Sequence, residues 1–133
     1  MIPEYVNFKW RGDTRGGLVA IEQLKDVPFT INRVYYIFDT AEGVRRGFHA
    51  HRDLQQVAIV LTGSCRFILD DGTSRCDVLL DKNTVGLKIS SMIWHEMYNF
   101  TPGCVLLVLA SRAYDEADYI RDYDSFIKLI QAK

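Results

Sequence analysis

The sequence predicts an all-β fold, an antiparallel sandwich or barrel with a short α-helix at its C-terminal end. From about residue 30 onward the chain is a succession of short β-branched and aromatic runs, spaced about ten residues apart. No helical pattern separates these runs, whereas parallel strands need a long crossover, usually a helix. Near the end the apolar period changes from two to between three and four, the mark of a helix face.

Taken in order, the strand-like runs are Arg33–Phe38, Gln56–Thr62, Cys65–Leu69, Cys76–Leu80, Val85–Ile89 and Cys104–Ala110. The stretches 57–61 and 104–110 are apolar throughout, which predicts central strands. Turn signals stand between the runs: Thr62-Gly63-Ser64, Asp70-Asp71-Gly72-Thr73, Asp81-Lys82-Asn83 and Thr101-Pro102-Gly103. Asp71-Gly72 predicts a tight hairpin in which both central residues reach positive φ. Tyr119, Ile120, Tyr123, Phe126, Ile127 and Ile130 recur at helical steps and predict one helix, its stripe packed on the sheet or on a partner subunit. Asp122 and Asp124 early, with Lys128 and Lys133 late, suit the helix dipole.

The 133 residues predict a single domain, 1–133, long enough to bury roughly two-thirds of its unfolded surface without staples. Lys and Arg number 16 against 17 Asp and Glu, a net charge of −1. No bulk positive field is present to hold a nucleic acid, so any polyanion site must be local. The chain has no apolar stretch of ~18 residues to span a membrane. Its start, Met1–Trp10, lacks the basic and apolar regions of a secretion signal. The three cysteines are odd in number and form no C-x-x-C pair. A reduced, cytoplasmic protein is the expectation.

The chemistry centres on three histidines. His49-Ala50-His51 alternates, so on a strand both rings share one face. Arg45-Arg46-Gly47 precedes the pair, and Gly47 permits a tight turn into that strand. His95 follows another short run, in Trp94-His95-Glu96-Met97. Two histidines on one face with a distant third suit either a metal site or an acid/base site.

Gly47-Phe48-His49-Ala50-His51, then Gln56 and Gly63, resembles the first motif of the cupin superfamily. Gly86 with His95 and Asn99 resembles a loosened second motif. The resemblance implies a small antiparallel jelly-roll β-barrel with its site in the barrel mouth. Gln56 stands where metal-binding cupins carry Glu, and a neutral amide cannot give a divalent cation the charge of a carboxylate. A three-histidine zinc or iron site stays geometrically open; no metal and no cofactor are expected.

A more specific resemblance runs along nearly the whole chain. Arg15–Glu22, Arg33–Asp39, Arg46–His51, Leu69–Gly72, Val85–Leu87, Trp94–Met97, Leu107–Ser111 and Tyr114–Arg121 are similar, in that order, to the dTDP-sugar 3,4-ketoisomerases, the FdtA/QdtA group of WxcM-like cupins. This resemblance implies a metal-free, cofactor-free homodimeric isomerase that converts dTDP-4-keto-6-deoxyglucose to a dTDP-3-keto-6-deoxyhexose. The product would feed amino-sugar synthesis for surface polysaccharides such as O-antigen.

Such a reaction needs a group that moves protons near neutral pH and donors for a developing oxyanion. The expected catalytic set is His49 as the carbon-3 base, His51 as a proton shuttle, His95 at carbon 4, and Tyr36. Tyr35 joins the substrate-binding set, and parity leaves open which of Tyr35 and Tyr36 faces the sugar. Arg15, Arg45 and Arg46 are the candidate diphosphate clamps, because guanidinium forks match phosphate oxygens. Gln56, Trp94 and Tyr114 complete the substrate-binding set, with Trp94, Tyr114 or Phe48 available to sandwich the thymine. Arg15 with His95 resembles the branch that gives the galacto-configured product. The competing readings are a dTDP-sugar 3,5-epimerase, a metal-dependent cupin oxygenase, which Gln56 opposes, and a non-catalytic sugar-sensing barrel. The epimerase family is longer and relies on a His–Asp dyad, and its sequence blocks are not matched.

Overall fold

The computed structural model describes residues 1–132. Along the chain run β1 (Tyr5–Asn7), β2 (Trp10–Asp13), β3 (Gly16–Val19), β4 (Arg33–Ile37), β5 (Arg46–His51) and β6 (Gln56–Thr62). There follow β7 (Cys65–Asp70), β8 (Arg75–Leu80), β9 (Val85–Ile89), β10 (Trp94–Tyr98), β11 (Val105–Ala110), β12 (Tyr119–Ile120) and helix α1 (Tyr123–Gln131). One five-stranded sheet has the order β1-β9-β6-β11-β4 and the second β12-β5-β10-β7-β8. The strand pairs within both are antiparallel. From β4 onward the chain crosses repeatedly between the two sheets, the jelly-roll pattern expected for a cupin-like barrel.

Alternation builds the interior. Ala58 and Val60 of β6, Leu87 and Ile89 of β9, and Leu106 and Val108 of β11 point from the first sheet. Cys65, Phe67 and Leu69 of β7, Val78 and Leu80 of β8, and Met97 of β10 meet them from the second. Each large apolar side chain removed from water here stabilises the fold by roughly 1.5–3 kcal/mol. The opposite face of the first sheet is covered too: Val57, Ile59 and Leu109 pack under Phe8, Val27 and Phe29. Strand β6 is therefore sheathed on both faces over most of its length, which is why its sequence reads as an unbroken apolar run.

Helix α1 lies on the outer face of the second sheet, where Phe126 packs with Ala50, Trp94 and Ile120. Asp122 caps it by accepting the Ser125 N–H at 2.9 Å. The helix is shorter than its apolar period suggested. Tyr119 and Ile120 form β12, paired with His51 and Ala50, because ladder hydrogen bonds to β5 outweigh helix propagation there. The expectation for Lys133 falls outside the described residues.

The Asp71-Gly72 hairpin also differs from expectation. Asp70 pairs with Arg75, so the connection is a four-residue loop, 71–74, and within it only Gly72 has positive φ. The Asp71 carboxylate replaces the tight turn by accepting the Thr73 and Ser74 N–H groups, both at 2.9 Å. Strands β2 and β3 form a separate two-stranded hairpin, on which Trp10 and Leu18 are 51% and 57% exposed.

Candidate active site

Toward one end of the barrel the inward positions change from apolar to polar. Tyr35, Gln56, His49, His51 and His95 replace the aliphatic rows there, so the same alternation that builds the core delivers the site. His49 and His95 face each other across the β5–β10 ladder, and Leu69 flanks His95 on β7. A bulge between His95 and Glu96 shifts the register, and Gly47 sits opposite it at φ +89°. A Cβ at Gly47 would lie 2.9 Å from the His95 carbonyl oxygen, so glycine is required for the two strands to approach.

The three rings form one cluster. Ring centroids are 4.5 Å apart for His49–His95, 4.9 Å for His49–His51 and 6.0 Å for His51–His95. Tyr119 closes it at 4.3 Å from His51 and 4.9 Å from His49. His49 Nδ1 lies 3.1 Å from the Gly47 carbonyl and His95 Nδ1 3.3 Å from that of Ile93. A carbonyl only accepts, so in each neutral ring Nδ1 carries the hydrogen and Nε2 keeps its lone pair. Burial holds His49 and His95 below the ordinary imidazole value, His95 well below it. His51 is pushed down to about 4, by burial first and then by the neighbouring His49, against a partial lift from Asp118. All three rings are thus unprotonated bases at neutral pH.

One nitrogen from each ring can be chosen so that all three lie within 4.8 Å of one another. Ligands around a tetrahedral zinc at about 2.0 Å stand roughly 3.3 Å apart. Among the described residues no carboxylate joins the set. Gln56 accepts the Tyr35 hydroxyl at Oε1, 2.7 Å away.

On β4 parity resolves the tyrosine pair. Tyr35 points inward, and burial raises its hydroxyl to about 12, so it remains a protonated donor. Arg33 and Arg46 both act on that hydroxyl electrostatically, which puts Arg46 near the mouth. Tyr36, expected in the catalytic set, is instead on the outer face and 62% exposed. Trp94 is likewise corrected: it alternates with His95, packs beneath α1 and donates from Nε1 to Glu96 at 3.0 Å. Arg45 turns the same way, 3.4 Å from Glu96 and stacked on the Tyr98 ring, away from the histidines. Arg15 sits on the exposed β2–β3 hairpin, bonded to Asp13 at 2.7 Å, and the structure does not bring it to the cluster. Tyr114 does reach the site, 5.5 Å from Tyr119, on the wall of a cavity of about 210 Å³ shared with His51, Arg33 and Arg112.

Sequence reasoning missed Arg33, Asp118 and Tyr119. Arg33 stacks on both Tyr35 and Tyr114, at 4.7 and 5.2 Å. Asp118 Oδ2 lies 3.4 Å from His51 Nδ1, so a His–Asp pair is present that the sequence blocks did not reveal. No local signal joins residues so far apart in sequence; the β12–β5 register does.

A family model described as "FdtA: WxcM-like, C-terminal" matches residues 2–131. The chain is 56% identical over 125 residues to a TDP-4-oxo-6-deoxy-alpha-D-glucose-3,4-oxoisomerase of Aneurinibacillus thermoaerophilus, covering 94% of this chain and 90% of that protein. It superposes with TM-score 0.96 and 43% identity on a mutant of the QdtA 3,4-ketoisomerase of Thermoanaerobacterium thermosaccharolyticum in complex with TDP-4-keto-6-deoxyglucose, covering 98% of this chain and 95% of that one. A 3,4-ketoisomerase from Helicobacter canadensis gives TM-score 0.94 and 46% identity, covering 98% of each chain.

Proposed function

The chain belongs to the FdtA family of WxcM-like proteins, and from that membership and the site geometry we propose that it is a 3,4-ketoisomerase of dTDP-4-keto-6-deoxyglucose. One observation carries the reading: three unprotonated imidazoles, each with Nδ1 at an oxygen, gather in one barrel mouth beside a tyrosine hydroxyl.

Moving the ketone from carbon 4 to carbon 3 requires only proton transfers. Nε2 of His49 takes the carbon-3 proton, the electron pair passes into an enediolate, and the same nitrogen returns the proton at carbon 4. His51 carries the hydroxyl proton from the carbon-3 oxygen to the carbon-4 oxygen. Tyr35 turns its one hydroxyl hydrogen from Gln56 to the developing oxyanion, and its raised pKa keeps the hydroxyl protonated. His95 supports the ring at carbon 4. Arg46 and Arg33 supply positive charge for the diphosphate, while Tyr114 and Tyr119 offer aromatic faces on the cavity wall.

The galacto-configured product belongs to this reading and rests on the combination of Arg15 with His95. So does a homodimer: the β2–β3 hairpin that carries Arg15 exposes Trp10 and Leu18 to solvent in the isolated protomer, and a second copy would cover them. The whole chain works as one domain in the cytoplasm, consistent with three free cysteines and, among the described residues, no helix long and apolar enough to cross a membrane. Its product would feed 3-amino-sugar synthesis for surface polysaccharide.

The test is incubation with dTDP-4-keto-6-deoxyglucose in deuterated buffer, followed by NMR. The expected product has its ketone at carbon 3, and deuterium at carbon 4 appears only to the extent that the proton held on His49 exchanges with solvent before its return. A ketone that stays at carbon 4 while carbons 3 and 5 acquire label would identify an epimerase and overturn the reading.

A further inference from the structure

We propose that Asp118 is the positioning residue that makes His51 the proton-holding imidazole of the site. Its carboxylate fixes the Nδ1–H tautomer, aims Nε2 into the mouth, and stabilises the imidazolium formed when that ring carries a proton. The proposal rests on the ketoisomerase reading, which gives His51 the transfer between the two oxygens.

The carboxylate is held from several sides. Oδ1 accepts the Asp53 N–H at 2.9 Å and Oδ2 the Leu54 N–H at 3.2 Å. The Asp118 backbone is fixed as well, with its carbonyl accepting the Arg52 N–H at 3.0 Å and its N–H donating to the Asp115 carbonyl at 3.1 Å. These bonds clamp the turn before β12 onto the loop that follows β5, so the carboxylate cannot swing away from the ring. His51 is 3% exposed, and its buried Nδ1 finds no closer partner than Asp118 Oδ2, at 3.4 Å. A buried ring nitrogen aimed at a fixed carboxylate settles as the N–H tautomer and closes this gap when the ring becomes charged.

The three histidines are not equivalent in this respect. His49 and His95 present Nδ1 to backbone carbonyls, which are neutral dipoles, whereas His51 presents it to an anion. Among them, His51 is the ring whose Nδ1 faces a carboxylate directly, a contact that partly offsets the burial and the neighbouring His49 that favour its neutral form. The proton balance then closes. As His49 removes the carbon-3 proton, neutral His51 accepts the proton of the carbon-3 hydroxyl and becomes imidazolium against Asp118. It then gives that proton to the carbon-4 oxygen and returns to neutral as His49 protonates carbon 4.

The experiment compares the full-length protein with Asp118→Asn, which keeps the side-chain shape and an oxygen for the Asp53 N–H but removes the charge and the acceptor of the Leu54 N–H. Turnover should fall by on the order of 100-fold while KM stays within about threefold. In parallel, ¹⁵N NMR should show His51 of the wild-type protein as the Nδ1–H tautomer and the variant ring shifted toward Nε2–H, as the amide turns a donor to Nδ1. A purely structural role would lower the melting temperature without moving the tautomer. Wild-type turnover in the variant, or an Nε2–H ring in the wild-type protein, overturns the proposal. The wild-type spectrum decides the matter even if the variant does not fold. Should the wild-type protein itself fail to move the ketone, the ketoisomerase reading falls, and the spectrum still decides whether Asp118 sets the tautomer.

Discussion

Lowering the pH from 7.5 to 5 should destabilise the fold well before its carboxylates titrate, and the histidine cluster sets the amount. In the unfolded chain His51 binds its proton through about pH 6.5. In the folded protein burial and the adjacent His49 push it down to about 4. Between those values the unfolded state holds more protons, so stability is complete above pH 6.5 and is lost as the pH falls through the window toward 4. Integrating for His51 alone gives a loss of about 2 kcal/mol between pH 7.5 and 5. His49 and His95 shift in the same direction, so the observed slope should exceed that of one proton. Asp71 and Glu116, both lowered to about 2 by their hydrogen-bond partners, withdraw their contributions only below the ordinary carboxylate range. Urea unfolding at stepped pH, followed by tryptophan fluorescence, measures the effect. A His51→Gln variant should show a slope shallower by about 1.4 kcal/mol per pH unit, the share of one proton. Flat wild-type stability between pH 7 and 5, or an unchanged slope in the variant, would refute the reasoning.

Three further outcomes are expected. His49→Asn should still bind dTDP by calorimetry but lose turnover by at least ~100-fold, the scale of a missing acid/base group; wild-type turnover would mean that another residue is the base. Arg46→Ala should raise KM with little change in kcat, because a phosphate clamp contributes binding rather than chemistry, and an unchanged KM would rule that role out. Gly47→Ala should destabilise by about 1–3 kcal/mol, since its Cβ would meet the His95 carbonyl at 2.9 Å and its φ is positive. A thermal melt that matches the wild type would show that the β5–β10 crossing has room to spare.

Period-two alternation was enough to place His49 and His51 on one face, and the apolar runs at 57–61 and 104–110 were enough to mark β6 and β11 as central strands. Both properties are local, because successive side chains on a strand alternate whatever the strand is paired with. Local reasoning failed where one strand's choice depended on another's. Parity could not distinguish Tyr35 from Tyr36 until β4 paired with β11 and turned one face toward the core. The same is true of Trp94, drawn under α1 because His95 took the inward position.

The sequence by itself determined an antiparallel all-β architecture and a shared side for two of the three imidazoles, because backbone geometry and hydrophobic patterning act over a few residues. Tertiary structure alone decided that His95 meets His49 across a bulge and that Asp118 reaches His51 through the β12–β5 ladder. Those contacts depend on strand register, and register is set by how two sheets bury their apolar faces together rather than by any single segment.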